Sequence, residues 1–237
     1  MKNYHASFAY GKTEIAFEVL YVARKTLEIS VHPGGRVVVK APHGATPEDI
    51  QARLQKRARW IRKQLTYFDQ FEPRTPPRQY VGGETHKYLG RQYRLKLNSG
   101  TKNDVKLIRG FFWITCRGRV EPGKVKRLLS AWYSEKAKKR FRECLDRCMP
   151  EFIRMGLPLP TLNIRHMKSR WGSLSRKGTL TVNVDLVRAP RECIEYVITH
   201  ELCHLRYPQH DSAFYGLLRQ LMPDWESRKI KLEKAQA

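Results

Sequence analysis

No stretch of this 237-residue chain approaches the ~20 consecutive apolar residues of a membrane-spanning helix. The first positions also hold no uninterrupted apolar run of signal-peptide length. Together these absences predict a cytoplasmic protein with no membrane partner. Cysteine is scarce: Cys116, Cys144, Cys148, Cys193 and Cys203 are odd in number and contain no paired CxxC spacing. That excludes a disulfide framework and a thiolate zinc ribbon and predicts reduced thiols. Cys144 and Cys148, four apart, read as core residues on one helix face. No internal repeat or low-complexity segment is present. Gly82-Gly83 is not a phosphate loop, because no strand leads into it and no Gly-Lys pair follows.

Acid is the other shortage. Against 46 Lys and Arg stand 22 Asp and Glu, a formal net charge of +24. A field of that sign concentrates polyanions, so DNA, RNA, anionic membrane surfaces and acidic protein segments are partners that the charge alone suits. A plain solvated cover of lysine and arginine explains the same count, and composition leaves the two readings open. Hydrophobic residues at 41% and charged residues at 29% are those of a folded globular chain.

Alternation through Leu27, Ile29 and Val31, a Pro33-Gly34-Gly35 turn and Val37 to Val39 predict a hairpin or meander near the start. Thr46-Pro47-Glu48-Asp49 then supplies a capping hydroxyl, a first-turn proline and two acids, which predicts a helix to about Phe68. Its packing face is read as Ile50, Leu54, Trp60, Ile61 and Leu65. The rest is dense with Arg53, Lys56, Arg57, Arg59, Arg62 and Lys63. Pro73, Pro76 and Pro77 read as a connector, and short strands return between Tyr80 and Cys116. From Gly123 the stripe Val125, Leu128, Leu129, Trp132, Ala137, Phe141, Cys144 and Leu145 has helical spacing. Leu162 to Met167 and Thr179 to Val187 read as a hairpin whose polar tip runs Lys168-Ser169-Arg170-Trp171-Gly172-Ser173. Pro190 opens a helix to about Leu205, and another covers Ser212 to Leu221.

Within the helix after Pro190 lies His200-Glu201-Leu202-Cys203-His204. Histidines four apart point the same way, so both imidazoles reach one ion, and the carboxylate between them can hold a water on it. A third histidine, His210, follows Tyr207-Pro208, which stop the helix and let the chain turn back. Three protein nitrogens plus one open position make a catalytic site for one Zn2+ per chain, with His200, His204 and His210 as ligands and Glu201 as general base. Tyr207 stands where the eleven-residue metzincin pattern has glycine, so Met222 is given no Met-turn role.

Residues 164 to 230 resemble the YgjP-like metallopeptidases, relatives of the SprT and Spartan proteases. The likeness rests on Met167-Lys168-Ser169-Arg170-Trp171-Gly172-Ser173, Thr179 to Asn183, Ala189-Pro190, Ile194 to Leu205 and His210. It extends weakly over the N-terminal half through Val39-Lys40-Ala41-Pro42, Trp60-Ile61 and Gly83 to Gly90. Leu174 departs from it, since the family commonly has cysteine there. The resemblance implies an α+β fold. A β-rich N-terminal region, residues 1–120, with a basic helix near 47–68, precedes a zincin-like metallopeptidase domain, residues 121–237, with an active-site helix and a mixed β-sheet. By analogy with the SprT and Spartan relatives it also implies action on DNA-associated proteins.

The substrate would be a protein or peptide, laid along the Ser169–Ser173 tip and the Thr179–Asn183 strand. Arg170, Trp171 and Asn183 are the candidate contacts, Arg170 for an oxyanion or carboxylate and Trp171 equally as a core anchor. Two other readings remain: a basic nucleic-acid-binding module with a structural or inactive zinc site, and a metal-dependent hydrolase of non-peptide substrates. Glu201 speaks against the first, because a structural site needs no carboxylate to activate water.

Overall fold

The computed structural model describes residues 3–11, 13–32, 35–69, 78–168 and 170–236, which form two compact units, 1–75 and 76–236. The expected turn residues Pro33 and Gly34, the connector prolines Pro73, Pro76 and Pro77, and Ser169 of the polar tip lie outside the described residues.

The first unit is a four-stranded sheet with one helix. Strands β1 (Tyr4–Tyr10), β2 (Thr13–Tyr21), β3 (Glu28–His32) and β4 (Arg36–Ala41) lie in the order β1-β2-β4-β3. The hairpin of β3 and β4 is as expected, but β2 pairs β4 in parallel, so the sheet is not a meander. Helix α1 (Pro47–Asp69) starts where the capping residues predict. The Thr46 hydroxyl accepts from the Asp49 N–H at 3.2 Å and donates to the Asp49 carboxylate at 2.9 Å. Ile50, Leu54, Ala58 and Ile61 are buried against Phe8, Ile15, Phe17, Val19, Val37 and Val39. Trp60, expected on that face, is 40% exposed. Counting helical positions explains it: Ala58 shares the stripe of Ile50, Leu54 and Ile61, whereas Trp60 falls on the stripe of Arg53 and Arg57.

The second unit begins well before residue 121. Strands β5 (Thr85–Tyr88), β6 (Arg91–Gly100), β7 (Asp104–Ile108) and β8 (Phe111–Arg117) form a mixed sheet in the order β5-β6-β8-β7. Its inner face, with Leu95, Phe112, Ile114 and Cys116, shares one core with helix α2 (Pro122–Arg154) and everything downstream. A boundary at residue 120 would split that core, so the expected division of 1–120 and 121–237 gives way to one near residue 75. Beyond α2 a second sheet contains β9 (Thr161–Arg165), β10 (Gly172–Leu174) and β11 (Thr179–Asn183) in the order β10-β11-β9. The expected hairpin of 162–167 with 179–187 is therefore corrected. β9 runs parallel to β11, the hairpin partner of β11 is β10, and residues 184–188 are a 3-10 turn.

Helices α3 (Arg191–Cys203), α4 (Ser212–Leu221) and α5 (Trp225–Gln236) complete the unit. The start of α3 is fixed from the first sheet of this unit. The Leu89 and Gly90 N–H groups donate to the carbonyls of Val187 and Arg188, and Gly90, at φ +79°, lies so close to Pro190 that an added Cβ would meet its Cγ at 2.8 Å. Among the described residues no helix is long and apolar enough to cross a membrane, and all five cysteines are free thiols.

Candidate metal centre

Helix α3 is buried on most of its circumference. Cys193, Ile194, Tyr196, Val197, Ile198, Thr199, Leu202 and Cys203 are all in the core, and Glu201 goes inside with them. The helix ends at His204, after which Tyr207 N–H bonds back to the Cys203 carbonyl and the chain reverses. Asp211 then caps α4, its carboxylate accepting from the Phe214 N–H at 2.9 Å. This turn carries His210 back over the end of α3.

The three histidines converge. Their ring centroids lie 4.6 to 5.3 Å apart, and one nitrogen from each fits within 4.8 Å of the others. The Nε2 atoms of His200 and His210 are 3.0 Å apart. His204 Nδ1 donates to the Tyr207 carbonyl at 3.0 Å, which leaves its Nε2 lone pair free, the arrangement that orients a ligating imidazole. Burial, with the charges of His210 and His204, brings the His200 pKa down to about 3, and burial lowers that of His210 as well. Both rings are neutral at pH 7, as a metal requires of them. His200 Nδ1 is buried with no hydrogen-bond partner among the described residues. Three imidazole nitrogens, two of them nearly in contact, fit a divalent ion of borderline softness. Phe214, fully buried, packs against all three rings at centroid distances of 4.7 to 5.0 Å.

Glu201 faces β10. Burial pushes its pKa up to about 7, opposed by the Leu174 N–H, which bonds to the carboxylate, and by the charge of Arg170. The ladder explains the Leu174 bond. Asn183 N–H donates to the Trp171 carbonyl and Ser175 N–H to the Thr179 carbonyl, so the residues between, Gly172 and Leu174, direct their backbone groups away from β11. Gly172 is where side chain and strand meet: a Cβ there would lie 2.8 Å from Glu201 Cγ and 3.0 Å from Oε1.

The candidate contacts separate. Arg170 is exposed and acts on Glu201 through its charge. Trp171 is half-buried and packs against the core. Asn183 is buried, and its amide is fully used inside the protein. It donates to the Met167 and Arg170 carbonyls at 2.9 and 3.2 Å and accepts from the Asp185 and Met167 N–H groups. Its side chain therefore fastens the loop that carries Arg170 and has no capacity left for substrate. The whole of β11 is likewise corrected as a substrate strand, since it lies between β10 and β9 with both edges paired. The sequence pattern does not single out Phe214 or the Leu174 N–H, and it places Gly172 only within the polar tip, with no sign of its contact with Glu201. Only Asp211, a capping residue just after His210, signalled that Phe214 would turn inward under the histidines.

Three converging imidazoles with a buried carboxyl group beside them are the chemistry of a single-metal metallopeptidase. The family model for the YgjP-like metallopeptidase domain matches residues 25–235, and the chain belongs to that family. No curated protein matches it. Among solved structures it is similar to the zymogen of jannalysin, a metallopeptidase of Methanocaldococcus jannaschii, with 26% identity over 39% of this chain and 85% of that one at a TM-score of 0.34.

Proposed function

We propose that this chain is a zinc peptidase whose metal is held by His200, His204 and His210, and that it acts on proteins associated with nucleic acid. The observation that carries the peptidase reading is the convergence of those rings on one side of α3's end while Glu201 is buried against the outer edge of β10. When bound, the zinc would polarise a scissile carbonyl and make a water acidic enough to attack at neutral pH. Glu201, with a pKa near 7, takes the proton from that water and returns it to the leaving amine. Arg170, beside Glu201, offers positive charge to the developing oxyanion or to a substrate carboxylate. The Gly172 backbone groups and the Leu174 carbonyl are directed to the outer edge of β10, where an extended peptide can pair beside the Leu174 N–H that Glu201 takes. The nucleic-acid association rests on the net charge of +24.

The test is zinc content and casein cleavage for the wild type and for Glu201→Gln. About one zinc in each protein, with cleavage down at least about 100-fold in the variant, is the expected result. Chelation should abolish wild-type cleavage and added zinc restore it. Zinc bound by both proteins with no cleavage by either sinks the peptidase reading.

A further inference from the structure

Helix α1 has two long stripes. One is buried; the other carries Arg53, Lys56, Arg57, Trp60 and Lys63, at helical spacings of three and four. No acidic residue occurs between Ile50 and Phe68, and among the described residues none of these cations is paired with a carboxylate. The stripe borders β3, an edge strand of its sheet. Between them runs a groove of about 340 Å³ lined by Leu27, Ile29, Arg53, Arg57 and Trp60. It continues past Leu27 and Arg53 into a second hollow of similar size that reaches Lys56 and Ala52 and ends on one acid, Asp49, which is held by Thr46 at the start of the helix.

We infer that this groove binds single-stranded nucleic acid, with Trp60 stacking on a base and the flanking cations on the phosphates. The cations set the sign of the partner, and the groove sets its width. At ~1.5 Å rise per residue, Arg53 to Lys63 covers about 15 Å, with positive charge at its start, middle and end, so a chain carrying repeated negative charge can follow it. Trp60 decides between polyanions. An indole left 40% exposed among cations is costly cover for a solvated face, but it is the stacking surface that an unpaired base uses. A duplex keeps its bases stacked within itself, and an acidic peptide has no face to offer the ring. This inference goes beyond the peptidase reading and stands without it.

The test is fluorescence anisotropy of a labelled oligothymidylate with the full-length protein, at salt from about 50 to about 200 mM. Trp60→Ala should weaken binding about tenfold while Trp60→Phe keeps most of it. Arg53→Gln with Arg57→Gln should lower the slope of log affinity against log salt by about 2. Lys138→Gln with Lys139→Gln, an equal charge change on α2, should leave both the Trp60 effect and most of the affinity. Glu201→Gln should bind as the wild type does, which separates this result from the fate of the peptidase reading. The inference is overturned if Trp60→Ala binds normally, if the two double variants lose the same affinity, or if polyglutamate competes as well as the oligonucleotide. The last outcome would make the groove a site for acidic protein segments.

Discussion

Helices α1 and α3 belong to different units and use the same physics to opposite ends. In α1 a single stripe is buried and the charged groups stay in water, where they act through their sum. In α3 the apolar surface extends nearly all round, and the charged group that matters is taken inside with it. Burial is what turns Glu201 into a base poised near pH 7 and keeps His200 neutral. A reagent of this kind depends on every atom around it, whereas a charged surface tolerates the loss of any one. If that contrast is right, substitutions around α3 should be severe and local, and those along α1 mild and additive.

The largest effect should come from Phe214→Ala. The ring is fully buried and touches all three imidazoles, so its removal leaves a cavity under the histidines. Urea unfolding of the metal-free protein should show a loss of about 3–5 kcal/mol. Metal titration should show affinity lower by about 10–100-fold, as when other supports of ligating rings are removed. Metal affinity unchanged in a folded variant would mean that the cluster is held by α3 alone.

Gly172→Ala comes next. The added methyl would meet Glu201 at Cγ, an atom close to the helix backbone, so β10 or the carboxylate must move. Cleavage should fall about 100-fold, the usual cost of displacing a reacting group by an ångström, while zinc content and fold remain. Retained cleavage would show that Glu201 works from a position other than the one against β10.

What the sequence disclosed follows the reach of each interaction. The cap Thr46 with Asp49, the α2 stripe and the His200–His204 spacing are set by residues within a turn of one another, and each is where the pattern placed it. The failures are long-range. The pattern between 161 and 188 does not announce that β9 will pair in parallel with β11, because β10, the hairpin partner of β11, is a three-residue strand inside the segment read as a polar tip. The core that joins β5–β8 to α2 and α3 is equally invisible, which is why the change from strand-like to helical spacing near 120 looks like a boundary. Helix α5 was not anticipated, since one buried leucine, Leu232, gives too little periodicity among eleven mostly polar neighbours. Asn183 had the right polarity for a substrate contact, but its loop uses all four of its hydrogen-bonding sites.

A smaller effect separates the units by pH. Burial lowers the pKa of His86, which is 4% exposed in β5, below its ordinary 6.5 despite its 2.9 Å hydrogen bond to Glu84. Burial pushes the Glu84 carboxyl up, but the Gln79 and Tyr80 N–H groups and His86 outweigh it and hold it below 4.5. Both shifts have one consequence. As pH falls through 6.5 the unfolded chain binds a proton that folded His86 refuses, so stability present above 6.5 is lost, at up to about 1.4 kcal/mol per pH unit. Glu84 adds to the loss only below 4.5. Unfolding at about pH 7.5 and about pH 5.5, in chelator, should show a smaller loss for His86→Gln than for the wild type. The contribution of His200 is common to both and cancels. Equal losses would mean that His86 titrates normally in the fold. In the first unit the lowered carboxylates, Glu18 beside Arg36 and Glu28 beside Arg24, are half-buried and respond only below 4.5.

Arg57→Gln should give the smallest change, and its sign is the informative part. Arg53 lies four residues before Arg57 on the same stripe, a like-charge pair that costs an isolated helix about 0.2–0.5 kcal/mol. Arg57 is exposed and has no carboxylate partner among the described residues, so removing its charge should raise stability by a few tenths of a kcal/mol at low salt, and less as salt screens the pair. The same substitution should weaken oligothymidylate binding. Stability and binding moving in opposite directions would identify Arg57 as a residue kept for its partner at the expense of the fold, the reverse of Phe214, whose loss harms both stability and metal affinity. A fall in stability beyond about 0.5 kcal/mol would instead place Arg57 in the packing of the groove and erase the distinction between the two helices.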